Sequence, residues 1–295
     1  MKKSYRQSST PRMLKSDGGF NVIRKGVSNN HWRDLYHFLH TVSWPKFLAV
    51  VSVVYLLVNT LFALAYTVGG GVENARKGNF FDAFFFSVQT MASIGYGAMY
   101  PKSLYANILV TVEALIGLLW IAMATGLMFA RFSVAKARVM FSRVAVIVPY
   151  NGVPTLMFRV ANERQNLILE AQVRLTLVRS EISKEGDVMR RFYDMSLVRS
   201  YSPLFSLSWT VMHTIDEDSP LYGVTPEVMI ENEMELLVTF TGLDETVSQT
   251  IHTRHSFIPQ EILWNMRFVD IISKTRDGKR SIDYSRFHDV KALED

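Results

Sequence analysis

The glycine-flanked tyrosine Gly95-Tyr96-Gly97 ends a stretch, Gln89 to Gly97, that lies between two long apolar segments. Glycine has no β-carbon, so these positions allow backbone carbonyls to point in one direction along a strand-like loop. Several such carbonyls together can replace the hydration shell of a bare cation. The stretch from Ser93 to Gly97 therefore predicts a site that coordinates a cation through backbone oxygens.

The composition limits the kind of protein that can carry such a site. The chain has 295 residues, 48% of them hydrophobic, and its mean hydropathy is +0.10. These values fit a protein with one part in a membrane and another in water. Cysteine is absent, which excludes disulfides and thiolate metal sites. Because the sequence also shows no phosphate-binding loop and no cluster of metal ligands, we expect no enzymatic activity, no organic cofactor and no nucleic-acid partner.

Two apolar segments are long enough to cross a bilayer. The first, predicted as a transmembrane helix over 46–68, has no charged residue from Phe47 to Val68, and about 20 apolar residues suffice for a span. The second is predicted over 104–131 and is interrupted only by Glu113. Between them, the apolar segment 80–92 is too short to span and is predicted to be a re-entrant pore helix.

The distribution of charge predicts the orientation of the two spans. Residues 1–46 carry nine Lys or Arg and two acidic residues, whereas the loop 69–104 carries three basic and two acidic residues. Since cytoplasmic loops are enriched in Lys and Arg, both termini are predicted to be cytoplasmic in a multi-pass protein of the cell inner (plasma) membrane. Residues 1–30 are predicted to form an N-terminal cytoplasmic tail. Apolar residues at helical spacing predict an interfacial amphipathic helix over 31–44.

A different pattern follows a predicted linker at 133–143. Apolar residues alternate with polar ones from Leu167 to Leu177, and Leu236, Val238 and Phe240 repeat this period of two, which is typical of half-buried strands. Glycine-containing turns such as Asn151-Gly152 separate the strands. Residues 144–295 are therefore predicted to form a cytoplasmic β-sandwich. The predicted fold class is an α+β membrane protein, with two transmembrane helices, a re-entrant helix and this sandwich.

The segment Ser93-Ile94-Gly95-Tyr96-Gly97, in this setting, resembles the selectivity filter of potassium channels, with Ser93 in place of the usual threonine. Two spans, an interfacial helix before the first, and a β-rich C-terminal domain resemble the inward-rectifier potassium channels, particularly their prokaryotic, KirBac-type members. The cytoplasmic signatures of that family are similar to three segments, Ile215-Asp216-Glu217-Asp218-Ser219-Pro220-Leu221-Tyr222, Glu261-Ile262-Leu263-Trp264 and Asp283-Tyr284-Ser285-Arg286-Phe287-His288. The resemblance extends over nearly the whole chain from Trp32 onward.

This resemblance implies a homotetramer around a central axis, with one filter strand and one immunoglobulin-like cytoplasmic domain per chain. It implies K⁺ as the transported ion, bound at Ser93, Ile94, Gly95 and Tyr96. Ser93 keeps a hydroxyl that can join the lowest coordination site, so we expect selectivity to survive. Barium and polyamines are the pore blockers that this family leads us to expect.

The second span should line the pore below the filter. Gly117, Ile121, Thr125 and Phe129 follow one another at i, i+4 spacing, which predicts one helical face. By resemblance, Gly117 occupies the hinge of the inner helix and Phe129 the bundle crossing, where an apolar ring can close a pore by dewetting. Ile121 stands where strong rectifiers carry an acidic residue. Glu113 is a candidate functional residue because intramembrane acids are costly.

Five basic residues form a predicted cluster at the inner leaflet, namely Arg24, Lys25, Arg131, Lys136 and Arg138. Anionic lipids contribute about 1 kcal/mol per nearby Lys or Arg, although the same charges would also follow from topology alone. The resemblance favours regulation by phosphoinositide or other anionic lipid, without fixing its sign. It also matches Glu185 to an acidic residue of the cytoplasmic pore that attracts cations.

Two alternatives stay open at this point. A poorly selective cation channel would use the same pore with a looser filter. A membrane-tethered β-sandwich receptor or adhesion module would use the two spans only as anchors. The second alternative leaves the short apolar segment and its Ser-Ile-Gly-Tyr-Gly ending unexplained.

Overall fold

The computed structural model describes residues 12, 19, 21, 26, 35–135, 137–274 and 277–293. The chain divides into two compact units. One runs from Gly26 to Val134, and the other joins Met1–Lys25 to Ala135–Asp295.

The first unit is helical. Its helices are α1 (Leu35–Thr41), α2 (Trp44–Gly69), α3 (Phe80–Met91) and α4 (Leu104–Phe132), and the short strands β1 (Val72–Glu73) and β2 (Tyr100–Pro101) pair antiparallel. Both α2 and α4 are long and apolar enough to cross a membrane. The 12-residue α3 is too short to do so and lies between them along the chain.

Polar side chains set where α3 and α4 begin. Asn79 caps α3, since its Oδ1 accepts from the N–H groups of Phe81 and Asp82 at 3.0 and 3.1 Å. Ser103 caps α4 by accepting from Ala106 N–H at 3.1 Å. Where α2 meets α3, the rings of Tyr66 and Phe86 pack edge to face, with centroids 5.1 Å apart.

The second unit is a β-sandwich. Its strands are β3 (Val139–Phe141), β4 (Ala145–Tyr150), β5 (Val153–Asn162), β6 (Ile168–Ile182), β7 (Val188–Met195), β8 (Tyr201–Phe205), β9 (Ser208–Thr214), β10 (Glu235–Asp244), β11 (Gln249–Phe257), β12 (Ile262–Trp264), β13 (Met266–Phe268), β14 (Ile272–Lys274), β15 (Arg280–Ile282) and β16 (Val290–Ala292). A short helix, α5 (Pro226–Glu231), precedes β10.

Two five-stranded sheets face each other in this unit. One has the order β11-β10-β6-β7, with β8 also on β6, and the other has the order β12-β4-β5-β3, with β9 also on β5. All these pairs are antiparallel except β12 with β4. Side chains of both sheets form one core, in which the rings of Phe158 and Phe257 are 5.6 Å apart. The predicted sandwich is therefore confirmed, including the buried series Leu236, Val238 and Phe240.

Two details differ from the sequence-based expectations. The segment 133–143 is not wholly a linker, because β3 pairs with Val160–Asn162 and adds an edge strand to the sheet. The alternation predicted from Leu167 to Leu177 is interrupted, since Ile168 is buried whereas Leu169 is not. The cause is a bulge, because Glu170 has a φ of 50° and the register of β6 against β10 shifts opposite it. A bulge moves the following residues to the other face.

One residue of the N-terminal segment lies on the sandwich. The Arg12 guanidinium donates to both oxygens of Glu261 at 3.1 and 2.7 Å and to Ser256 Oγ at 3.1 Å. A bidentate arginine–carboxylate pair is among the stronger polar contacts in proteins. Arg12 therefore fixes one point of the N-terminal segment against β11.

Candidate ion-conduction site

The segment Ser93–Gly97 continues directly from the C-terminal end of α3. The Ser93 N–H donates to Thr90 O at 3.0 Å, and the Ile94 N–H donates to Gln89 O at 2.8 Å. These bonds satisfy carbonyls that a helix end otherwise leaves unpaired. They also attach the first two residues of the segment to the end of α3, so the helix sets where the segment starts.

The backbone of the segment alternates in handedness. Ser93, Gly95 and Gly97 have φ values of 56°, 56° and 80°, whereas Ile94 and Tyr96 are not in the positive-φ region. In an ordinary strand, successive carbonyls point to opposite sides. Alternation between left-handed and right-handed residues instead turns successive carbonyls to the same side. Glycine permits this at 95 and 97 without steric cost, and Ser93 adopts it without the β-branch that would make such a φ costly for threonine.

The carbonyls of Ser93–Gly97 are free within the described part of the chain, where no hydrogen bond reaches them. Immediately beyond, Ala98 O accepts from the Asn74 amide at 2.8 Å. The segment is thus held at its two ends and leaves its own oxygens available. Its residues are also exposed in the single chain, with Tyr96 at 74%. This arrangement can offer oxygen ligands to a hard cation.

The four inner-helix candidates differ in burial within the single chain, and their common pore-lining face stays a prediction. Gly117 is buried against α3, and a β-carbon there would lie 2.3 Å from Met91 O. Ile121, Thr125 and Phe129 are exposed in the single chain, with Phe129 at 72%. Four residues turn about 40° more than one full turn of a helix. Each successive residue of the series therefore lies further around α4 from the side that contacts α3.

Glu113 is buried where α2, α3 and α4 meet. Its Oε2 accepts from the Tyr66 hydroxyl at 2.7 Å, and its Oε1 contacts the Ser87 hydroxyl. Ser87 Oγ also lies 3.0 Å from Asn59 Oδ1. All four side chains are at most 2% exposed. Buried polar groups of this kind are stable only when they bond one another.

The structure describes two of the five residues of the predicted lipid-binding cluster, Arg131 and Arg138. Arg24, Lys25 and Lys136 lie outside the described residues. Arg138 is exposed on the β-sandwich unit. Arg131 belongs to the helical unit, and its side chain is already engaged there.

Arg131 connects the end of α4 to the end of α1. Its guanidinium donates to Leu39 O and, at 2.6 Å, to Val42 O, which are carbonyls left unpaired where α1 ends. It also lies 4.7 and 4.6 Å from the ring centroids of Trp44 and Phe47, at cation–π distance. These contacts fix α1 to both long helices.

Glu185 lies at the exposed turn between β6 and β7. Hydrogen bonding to Ser183 lowers the pKa of the Glu185 carboxyl, so the group is negatively charged at neutral pH. A shallow pocket of about 340 Å³ surrounds it, lined by Glu181, Lys184 and Arg191 among others.

The functional contacts of Asn59, Asn74 and Ser87 were not predicted from the sequence. Asn59 and Ser87 could have been noticed, because each is a polar residue inside an apolar segment, where polar side chains are costly. Asn74 gave no such signal, since asparagine is ordinary in an exposed loop. Its contact with Ala98 spans 24 residues and follows from tertiary structure alone.

Comparisons with known proteins agree with this geometry. Residues 139–295 match the family described as inward rectifier potassium channel C-terminal domain, and residues 49–134 match the family described as ion channel. The chain is 52% identical over 282 residues to the inward rectifier potassium channel Kirbac3.1 of Paramagnetospirillum magnetotacticum, covering 95% of this chain and 96% of the relative.

More distant relatives include animal channels. The chain is 30% identical to the inward rectifier potassium channel 4 of Mus musculus, covering 96% of this chain and 73% of that protein. It is 28% identical to the ATP-sensitive inward rectifier potassium channel 15 of Homo sapiens, covering 98% and 84%. This chain belongs to the inward-rectifier potassium channel family, among its prokaryotic members.

Proposed function

We propose that this protein conducts K⁺ passively through a pore formed by four copies of the chain, with Ser93–Gly97 as its selectivity filter. The observation that carries the proposal is the alternating backbone of that segment, whose carbonyls are free of hydrogen bonds. Carbonyl oxygens in such a row can exchange with the water shell of a permeating ion. Ser93, Ile94, Gly95 and Tyr96 would supply the K⁺ ligands.

The exposure of the filter supports a tetramer. One chain offers one row of carbonyls, which cannot surround an ion by itself, and Tyr96, Ile121 and Phe129 are exposed large side chains in the single chain. Closed cyclic symmetry would cover them and place four rows around one axis. The family to which the chain belongs is typically tetrameric.

A gate is proposed at Phe129, three residues before α4 ends. Four phenylalanines around one axis would form an apolar constriction, which closes a pore by dewetting. Gly117 is proposed to matter through its contact with α3 rather than only as a hinge, because its missing side chain lets α4 reach Met91 O. Ile121 and Thr125 would line the cavity between filter and gate, and Glu185 would attract cations to the inner entrance.

Modulation by anionic lipid is proposed through Arg138 together with Arg24, Lys25 and Lys136. Arg131 would contribute less, since its guanidinium is already bonded to α1. In liposomes with and without phosphoinositide, K⁺ flux is expected to differ. Arg138→Gln should reduce that difference, whereas Arg143→Gln, also exposed but outside the proposed cluster, should not. A flux indifferent to lipid would contradict the proposal.

The experiment for the function itself is ⁸⁶Rb⁺ or K⁺ uptake into liposomes that contain the purified protein. We expect uptake driven by a K⁺ gradient and blocked by barium. A membrane-tethered receptor would give no uptake, and it is disfavoured because both units match channel families. If Na⁺ dissipates the gradient that drives uptake as effectively as K⁺ does, the poorly selective channel is favoured. It is the second candidate because serine stands at position 93 of the filter.

A further inference from the structure

Asn59, Tyr66, Ser87 and Glu113 form one hydrogen-bonded group, which we name the buried tetrad. It joins α2, α4 and α3, the helix from which the segment Ser93–Gly97 continues. None of the ion pairs among the described residues involves Glu113. An ionised carboxylate buried without a cation is very costly. The number of hydrogens that the four side chains share decides whether Glu113 is ionised or neutral.

The orientation of the Asn59 amide is fixed by its neighbours. Its Nδ2 donates to Tyr55 O at 2.8 Å and lies 3.2 Å from Met91 Sδ. Reversing the amide would place two oxygens at 2.8 Å from each other. Oδ1 must therefore face Ser87 Oγ, 3.0 Å away, as an acceptor.

The Ser87 hydroxyl then faces two acceptors with one hydrogen. Asn59 Oδ1 lies on one side and Glu113 Oε1 on the other, and a serine hydroxyl donates only once. If Ser87 donates to Asn59, the contact with Glu113 needs a hydrogen from the carboxyl group. The second carboxyl oxygen already accepts from the Tyr66 hydroxyl at 2.7 Å. A single added proton on Oε1 completes every bond of the tetrad.

We infer that Glu113 carries that proton and, as a neutral carboxylic acid, acts as a positioning residue for the filter through Ser87. The inference rests on the proposed function, because it assigns the tetrad to the filter of that channel. A carboxylic acid kept neutral by an apolar site is a known hydrogen-bond donor in proteins. The order of donation is Glu113 to Ser87 to Asn59, with Tyr66 donating to Glu113.

The tetrad acts on the filter through the last turns of α3. Ser87 lies two residues before Gln89, whose carbonyl accepts the Ile94 N–H at 2.8 Å. Asn59 reaches Met91, the last residue of α3, and Met91 O is also the atom that Gly117 allows α4 to approach. Displacing Ser87 would therefore shift the helix end from which the filter starts. Because the tetrad is neutral, it would position the filter without adding negative charge behind it.

The test compares substitutions of Glu113 that keep or remove the hydrogen bonds. In Glu113→Gln, the amide N–H can donate to Ser87 and the amide oxygen can accept from Tyr66, so the network survives without a titratable group. Glu113→Leu and Ser87→Ala remove it. Each of these two substitutions removes two hydrogen bonds of the tetrad, and we expect each to lower K⁺ over Na⁺ selectivity about tenfold. Glu113→Gln should keep wild-type selectivity.

Thr111→Val is the matched control. Thr111 is on the same helix and exposed, and its hydroxyl bonds only the Asn107 carbonyl of its own helix. Its substitution should leave selectivity unchanged. If Glu113→Gln loses selectivity as fully as Glu113→Leu, the site needs a charge and the inference is wrong.

An infrared measurement on the full-length protein tests the proton directly. Wild type at neutral pH should show the carbonyl stretch of a protonated carboxylic acid that is missing from Glu113→Gln, and Tyr66→Phe should shift that band because one hydrogen bond to Oε2 is lost. Absence of the band in wild type overturns the inference whatever the flux. If wild type conducts without preferring K⁺, the proposed function fails instead, while the band still decides whether Glu113 carries the proton.

Discussion

At the scale of single residues, Gly117 leaves no room for a side chain, because the backbone of α3 lies directly against it. Its absent β-carbon would lie 2.3 Å from Met91 O, a backbone atom that can move only together with α3. Gly117→Ala should therefore displace α3, lower the melting temperature of the detergent-solubilised protein and reduce K⁺ flux.

Gly126→Ala provides the matched comparison on the same helix. Among the described residues, no atom outside the neighbouring turns of its own helix lies within 4 Å of the added carbon, and alanine favours a helix over glycine by about 1 kcal/mol. We expect unchanged or raised stability. A loss as large as that of Gly117→Ala would show that packing against α3 is not what Gly117 provides.

His255 gives a second residue-scale prediction, in the β-sandwich unit. Burial, aided by the positive charge of Arg12, lowers the pKa of His255 to about 4, and its ring stacks on Phe141 at 5.2 Å. The unfolded chain, with a histidine pKa of about 6.5, binds more protons between these values. Stability is therefore present above about pH 6.5 and is lost as pH falls towards 4, by up to about 3 kcal/mol.

Thermal unfolding from pH 7 to pH 4.5 measures this effect. His255→Phe keeps the stacking and removes the titrating group, so its melting temperature should fall less steeply than that of wild type. His252→Gln, at an exposed position of the same strand, should behave as wild type. Parallel curves for wild type and His255→Phe would contradict the assignment.

At the scale of elements, Arg131 connects α1 to both long helices of the helical unit. Arg131→Ala removes two hydrogen bonds to the carbonyls at the end of α1 and two cation–π contacts, worth about 1–3 kcal/mol together. Because the chain has no cysteine, a single spin label at position 36 can report on α1. We expect Arg131→Ala to increase the mobility of that label, and Lys46→Ala, a nearby exposed cation, to leave it unchanged.

Elements were the features best predicted from sequence. The charge-free run from Phe47 to Val68 indicated α2, and the alternation at Leu236, Val238 and Phe240 indicated β10, because burial on one side imposes the period of the element. The bulge at Glu170 was missed, since it depends on register with a partner strand. The engagement of Arg131 with α1 was also missed, because a basic residue after an apolar run satisfies the positive-inside pattern whatever it contacts.

The filter, too, has features that the local sequence predicts and others that depend on tertiary contacts. Its position followed from two glycines and a neighbouring apolar segment, which are local signals. The bonds from Glu113 to Tyr66 and Ser87 join residues 47 and 26 positions apart, and no local period encodes such distances. Sequence could single out Glu113 as costly, but only the packing of three helices shows what it bonds.

At the scale of the whole molecule, orientation in the membrane is a direct consequence of the proposed channel. Lys77 and Lys184 are both exposed lysines, the first in the loop between α2 and α3 and the second in the turn between β6 and β7. In intact cells, a membrane-impermeant thiol reagent should label Lys77→Cys and spare Lys184→Cys until the cells are opened. The reverse pattern would contradict the predicted cytoplasmic termini.

The central claim is that Ser93–Gly97 makes a K⁺-selective pore despite the serine at its start. The reversal potential of the reconstituted wild-type protein, in mixed K⁺ and Na⁺ solutions, tests it most directly. We predict that the reversal potential follows the K⁺ equilibrium potential as the K⁺ gradient is changed. A reversal potential that stays near zero when K⁺ on one side is exchanged for Na⁺ would contradict the claim.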